Sequence, residues 1–200
     1  METRARILRE SREVLREKGI SGFSMRQVAE RVGVTATALY RHFDDRDALL
    51  ATLLDEGFTT FGSYLLRSLA GKTPLERLRL AGSAYFDFAF EHPRDYALMF
   101  LTPCADLGLK CVSENTKARM DGTFVFLVDR VKECIAAGVV EEHDPQATAL
   151  NIWAEVHGLA SLRLNGLLSE VPDAAFRERI DFILDRIELS LRPGLTPNRS

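Results

Sequence analysis

Long apolar runs are missing from this sequence. Its longest stretches without Asp, Glu, Lys or Arg, residues 57–66, 96–105 and 145–154, are ten residues each, whereas a bilayer-crossing helix needs about 20 apolar residues. Cysteine is scarce too. Cys104, Cys111 and Cys134 are too few and too odd in number for a disulfide framework, and they contain no CxxC pair for zinc or redox work. Packed, reduced thiols are the expected state; a redox pair of Cys104 and Cys111, in an irregular region, is the alternative. Arg4, Arg6, Arg9 and Arg12 stand among Glu10, Glu13 and Glu17 with no apolar run behind them, so no secretory signal is expected and the cytoplasm is the expected location. Catalytic patterns are lacking as well: there is no HExxH, no GxSxG, no P-loop and no carboxylate pair that stands out. An enzyme is not expected, and the sequence calls for no cofactor and no metal. Nor is there any period-2 alternation bounded by turn signals, which argues against strands.

What the 200 residues do contain is a globular balance, 46% hydrophobic and 28% charged, enough for one large domain or two small ones. Charge is uneven. Residues 1–43 carry nine Lys and Arg against five Asp and Glu, while the remainder carries 17 against 24. An anionic partner is therefore expected at the N-terminal end, within the Debye length of about 8 to 10 Å over which such a face acts.

Apolar residues recur at i, i+3, i+4, i+7 throughout, which predicts an all-α chain of about nine helices. The first runs from Arg4 to Lys18 and closes at Gly19. Ser24 and Gln27 form an S-x-x-Q capping box for a second helix, Met25 to Val32. Gly33 offers a left-handed turn, and Thr35 caps a third helix over Ala36 to His42. A fourth starts at Asp45 and continues toward Ala70. Thr73, Pro74 and Glu76 start a fifth, which ends near Glu91. A sixth covers Arg94 to Leu101, and the stretch from Thr102 to Val112 reads as irregular. The last three cover Ser113 to Ala137, Pro145 to about Asn165, and Asp173 to Leu191, followed by a frayed tail over residues 193–200.

Two short helices joined by a glycine turn have the sequence form of a helix-turn-helix, whose second helix meets base edges in the major groove. Thr35, Ala36 and Thr37 suit base readout: they are small, with hydroxyls for base edges and methyls for a thymine methyl. Tyr40, Arg41, His42, Arg46 and Arg26 are residue types that bind phosphate.

The run FSMRQVAERVGVTATALYRHFDDRDAL, Phe23 to Leu49, resembles the DNA-binding signature of the tetracycline-repressor (TetR) family of bacterial transcriptional regulators. That resemblance implies a three-helix DNA-binding head, residues 1–47, and a helical ligand-binding and dimerisation body, residues 48–192. It places base reading on Thr35, Ala36 and Thr37, and backbone contacts on Tyr40, His42, Arg46 and Arg26. Asp44, Asp45 and Asp47 make the start of the fourth helix more acidic than the family pattern and compete for Arg46. The segment WAEVHG, Trp153 to Gly158, looks like the W-x-x-x-H-G feature of one C-terminal subclass of the family. Trp153 and His157, at i and i+4, share a helix face; they read either as core or as a pocket wall with a polar handle.

Nine of the 17 aromatic residues fall between Phe58 and Phe100, and an apolar cavity between helices is the usual small-molecule site. The expected contacts of a small hydrophobic or aromatic effector are Tyr85, Phe86, Met99, Phe124, Trp153 and His157. The ninth helix carries Phe176, Ile180, Ile183, Leu184, Ile187 and Leu191 on one stripe. With the small residues Ala154, Gly158, Ser161 and Gly166, that stripe suggests a homodimer through the last two helices, or else packing within the chain. The expected function is a transcriptional repressor on double-stranded DNA with a palindromic operator, released by the effector. An architectural DNA-binding protein is the remaining alternative.

Overall fold

Ser24 sets the start of the second helix, and its neighbours set the rest of the N-terminal arrangement. In the computed structural model, which describes residues 2–102, 107, 114–141 and 143–192, the Ser24 hydroxyl accepts the Gln27 N–H at 3.4 Å. Helix α1 (Glu2–Lys18) precedes it, and α2 (Met25–Val32) and α3 (Ala36–Tyr40) follow. Buried Ile7, Leu8, Ser11 and Val14 form the inner stripe of α1, and Met25, Val28, Ala29 and Val32 that of α2. Both stripes have the spacing of a single helix face. Between α2 and α3 the chain turns at Gly33, whose φ is 75° and whose N–H bonds to Ala29 O at 3.0 Å. Thr35 then caps α3 by accepting the Ala38 N–H at 3.1 Å.

The chain continues through α4 (Arg46–Arg67), a 3₁₀ turn at Ser68–Ala70, α5 (Pro74–Glu91) and α6 (Pro93–Tyr96). A π-helical turn, Ala97–Leu101, follows α6 directly. Then come α7 (Glu114–Ala136), α8 (Pro145–Leu164) and α9 (Asp173–Leu191). The fold is all-α: the described residues contain no strand, and no helix among them is long and apolar enough to cross a membrane. Sequence reading differs from the structure at three places. α3 stops at Tyr40, because the His42 N–H turns back to Leu39 O in a tighter turn. α4 stops at Arg67 and tightens into the 3₁₀ turn. The sixth helix is a single turn that widens, and the Thr102 hydroxyl donates to Ala97 O at 3.0 Å across the wide turn. Of the stretch expected to be irregular only Thr102 and Leu107 are described; Cys104 and Cys111, and the tail 193–200, lie outside the described residues.

Two compact units result. The first comprises residues 1–59 and 92–119, the second residues 60–91 and 120–200. In the first, Leu49, Leu50, Leu53 and Leu54 of α4 are buried, as are Tyr96 and Leu98. In the second, α5 buries Tyr85, Phe86 and Phe88, α8 buries Ile152, Val156 and Ala160, and α9 buries Phe176, Leu184, Ile187 and Leu191. α5 and α9 meet at Gly82, where a Cβ would lie 2.5 Å from Leu184 Cδ2. The α9 stripe expected at a dimer surface is thus largely internal, because the missing side chain at Gly82 admits it against α5. Phe182 and Leu189 are the large apolar residues that α9 leaves exposed, and Leu150 and Leu162 those of α8. Cys134 is buried, and burial pushes its thiol up to about 11, far from a reactive thiolate.

At Gly33 an added Cβ meets nothing within 4 Å, so only the backbone opposes a side chain there. Gly33→Ala is expected to destabilise the protein by about 1 to 2 kcal/mol, the cost of left-handed backbone for an L-residue. Urea denaturation with unchanged stability would exclude that conformation.

Candidate functional site

The beginning of α3 is built to be seen from outside. Only Leu39 of that helix is buried, and it anchors the helix. Thr35, Ala36, Thr37, Tyr40, Arg41 and His42 are all exposed, Tyr40 at 49% despite its size. Phe43, just beyond, is buried and carries the Arg4 guanidinium 5.0 Å from its ring centre. Arg41 forms no ion pair among the described residues. Arg26 extends from the first turn of α2 with 87% of its side chain exposed and pairs with Glu30 at 3.0 Å. Such an exposed pair is worth well under about 1 kcal/mol and yields readily to a phosphate.

Arg46 is placed differently from the rest of the expected set. Its Nε donates to Phe23 O at 3.2 Å and its Nη2 to Ile20 O at 3.0 Å. Its Nη1 reaches Leu107 O and Asp47, each at 3.4 Å, and the guanidinium lies 5.8 Å from the Phe23 ring centre. A guanidinium has five N–H groups in a fixed fork. Here the fork holds the turn between α1 and α2 against the start of α4, so Arg46 is a strut rather than an open phosphate donor. Sequence pattern alone gives a basic residue at this point; only the fold shows three backbone carbonyls converging on it.

In the second unit the Trp153 indole N–H donates to the Tyr85 hydroxyl at 3.4 Å. The Tyr85 oxygen lies 2.9 Å from His157 Nδ1, and His157 Nε2 lies 3.3 Å from Ser161 Oγ. An indole can only donate. Tyr85 therefore accepts from Trp153, while the donor in the Tyr85–His157 and His157–Ser161 pairs depends on the imidazole tautomer. Burial holds the His157 pKa below its ordinary value. Trp153 is at the same time one wall of an apolar cleft of about 320 Å³, lined by Phe124, Asp144, Gln146, Ala147, Leu150 and Trp153.

The six expected effector contacts are thus distributed. Phe124 and Trp153 line this cleft, with ring centres 6.1 Å apart, and Tyr85 and His157 form the polar chain attached to Trp153. Phe86 instead lines a wider groove of about 530 Å³ together with Phe90 and Phe176. Met99 belongs to the first unit, where its sulfur fills the space beside Gly57. The described residues contain no cluster of three His, Cys, Asp or Glu side chains placed to hold a metal.

Comparison with known proteins agrees with this arrangement. A family model described as bacterial regulatory proteins, tetR family, matches residues 7–53, and one described as tetracyclin repressor-like, C-terminal domain, matches residues 78–187. The chain belongs to the TetR family of bacterial transcriptional regulators, DNA-binding proteins of the helix-turn-helix type. It is 26% identical over 194 residues to the HTH-type transcriptional regulator YobS of Bacillus subtilis, covering 97% of this chain and 91% of that one. It is 31% identical over 100 residues to the HTH-type transcriptional activator FasR of Mycolicibacterium smegmatis, a match spanning half of this chain and 46% of FasR. A solved structure of a protein of unknown function from Rhodococcus sp. RHA1 superposes with a TM-score of 0.78 at 28% identity, covering 95% of each chain.

Two measurements follow. Arg46→Ala is expected to lose about 1 to 3 kcal/mol of stability, chiefly through the Phe23 carbonyl it leaves without a partner, whereas Arg41→Ala stays within about 0.5 kcal/mol of wild type; equal urea midpoints would remove the strut. His157, with its pKa lowered from 6.5, leaves the folded protein holding fewer protons than the unfolded chain. Its contribution is complete above that unfolded value and is lost as pH falls through the lowered folded one. Melting temperatures should therefore drop more steeply from about pH 7 to about pH 5 in the wild type than in His157→Gln, and parallel curves would contradict this.

Proposed function

We propose that this chain is a repressor that binds a palindromic operator as a homodimer and is released by a small hydrophobic or aromatic effector. The observation that carries the reading is the exposed run Thr35, Ala36, Thr37, Tyr40, Arg41 and His42 around the single buried anchor Leu39. In this reading residues 1–47 are the DNA-binding head and residues 48–192 the ligand-binding and dimerisation body, acting in the cytoplasm. Thr35, Ala36 and Thr37 read base edges, and Tyr40, Arg41, His42 and Arg26 hold phosphates. Arg46 supports them from behind.

Two heads require a two-fold axis, with half-sites about 34 to 36 Å apart. The partner surface proposed for it is α8 with α9, supported by exposed Leu150, Leu162, Phe182 and Leu189. The apolar cleft beside Trp153, within the usual size range of small-molecule sites, is the proposed effector site, with Tyr85 and His157 as its polar handle. Effector and DNA then compete by favouring different head spacings. A coupling of about 1.4 kcal/mol suffices for a tenfold loss of DNA affinity. Catalysis has no part in this reading.

Selection of bound fragments from genomic and random DNA by the purified protein, at about 0.15 M salt, is expected to recover an inverted repeat. Arg41→Ala should then lower the slope of log affinity against log salt by about 1, and Thr37→Ala should relax preference at one or two base pairs without that change. Recovery of no repeat, with and without a panel of apolar compounds, would overturn the regulator reading.

A further inference from the structure

The groove between α5 and α9 combines aromatic walls with a carboxylate that has no partner. Phe86 and Phe90, one turn apart on α5, stack with ring centres 6.1 Å apart and an interplanar angle of 16°, and Phe176 of α9 meets Phe90 edge to face at 5.5 Å. Its volume of about 530 Å³ falls within the range of small-molecule sites. All of its lining belongs to the second unit, and none is shared with the cleft beside Trp153.

The charge of that lining has a sign. Asp87, Glu91, Asp173 and Asp181 set four carboxylates against the guanidiniums of Arg163 and Arg177. Arg163 is already committed: it donates to Leu168 O and Val171 O, pairs with Asp173, and lies 5.0 Å from the Phe176 ring centre. Its seat on Phe176 shows what this aromatic surface accepts, since the face of a ring attracts a cation. Asp87 stands apart, with no hydrogen bond or ion pair among the described residues. Glu91, four residues further on and on the same helix face, accepts a hydrogen bond from the Tyr64 hydroxyl. The charges that act on Asp87 are Glu91 and, more weakly, Arg67, whose guanidinium lies 3.8 Å from the Tyr64 ring centre. Desolvation in the groove and the neighbouring Glu91 hold the Asp87 carboxyl above its ordinary range. A cation between the two carboxylates would offset that penalty, and an anion would add to it.

We infer that this groove is a second ligand site, for an organic ammonium with an apolar or aromatic body: the body lies on Phe86, Phe90 and Phe176, and the ammonium donates to Asp87 and Glu91. Phe182 and Leu189, which belong to the homodimer surface proposed above, share a face of α9 about 100° away from Asp181. The groove and that surface therefore use different faces of the helix. Binding of the cation involves no DNA and does not rest on the operator-binding reading.

The test is calorimetric titration of the full chain at about pH 7 with phenylbutylammonium, phenylbutanol and phenylbutyrate, one body with three head groups that are cationic, neutral and anionic there. The ammonium is expected to bind at least about tenfold more tightly than the alcohol, and the carboxylate more weakly than either. Asp87→Asn, at an exposed position, is expected to bring the ammonium down to the level of the alcohol. The head-group series is read on the wild type, so it decides even where the variant does not fold. No binding of the ammonium, equal affinities of ammonium and alcohol, or an undiminished preference for the ammonium in folded Asp87→Asn overturns the site. Trp153 is the chain's single tryptophan: ammonium binding that shifts its emission and is indifferent to Asp87→Asn belongs to the other cleft, and overturns the groove as well.

Discussion

A guanidinium placed beneath the surface of a small helical unit must find carboxylates, and Arg12 finds two on two different helices. Removing one member of such a pair leaves a buried, uncompensated charge, at a cost of about 3 to 5 kcal/mol. The consequence is geometric. α1 cannot leave α6 without exposing Asp95, and α4 is held at the same point by Glu56 and by the close approach at Gly57. This explains why residues 92–119 cluster with the N-terminal helices instead of with the helices on either side of them in sequence. The helix-turn-helix is then completed by weaker means: a serine cap, a left-handed glycine, a threonine cap and the apolar faces of α1 and α2. Arg46 closes the other side by satisfying the carbonyl of Phe23 and adding a second hydrogen bond to that of Ile20, which the Phe23 N–H already reaches at 3.2 Å.

The second unit is held by rings. Phe61, Tyr85 and Phe88 meet at centre distances of 4.9 to 5.6 Å, and Phe90 meets Phe176 edge to face at 5.5 Å. Such contacts add about 0.5 to 1.5 kcal/mol each beyond area burial. Into this apolar setting the chain inserts a series of hydrogen bonds from Trp153 through Tyr85 and His157 to Ser161. It starts from a group that can only donate. The cleft beside Trp153 is therefore next to a connected polar chain, and a ligand that displaced the indole would take away the hydrogen bond at its start.

How much of this was legible in the sequence depends on the range of the interaction concerned. Caps act over three residues, so Ser24, Thr35 and Thr73 gave helix starts that the structure reproduces, and α2 and α9 have the boundaries expected of them. The exposed run of α3 was legible because small and polar side chains there serve no packing purpose. Arg12 and Asp95 were not legible: 83 residues separate them, and neither stands in a pattern. Arg46 looked like a phosphate donor because its chemistry suits that task equally well; its carbonyl partners are backbone atoms, which leave no mark in a sequence. The apolar character of the α9 stripe is legible, but periodicity cannot tell an internal partner from a second copy; Gly82 on α5 admits Leu184, while Phe182 and Leu189 stay exposed. Met99 and Phe86 joined one expected pocket because they are apolar and near it in sequence, and the fold takes them elsewhere.

The same distinction corrects the charge argument for DNA binding. Residues 1–43 carry an excess of four positive charges, yet three of their nine cations are each held by two carboxylates. Arg31 bridges Glu10 and Glu17, Arg16 reaches Glu13 and Glu17, and Arg12 is held by Asp95 and Glu56. Among the described residues Arg6, Lys18 and Arg41 form no ion pair, Arg4 leans on the Phe43 ring, and the exposed Arg9 and Arg26 have one carboxylate each. The available cations therefore lie along α1, at the first turn of α2 and just beyond α3. Each phosphate neutralised contributes to the salt dependence of binding, a contribution that carries no sequence information. The discrimination that remains must come from short-range contacts, which is the work that the exposed threonines at the start of α3 are shaped to do.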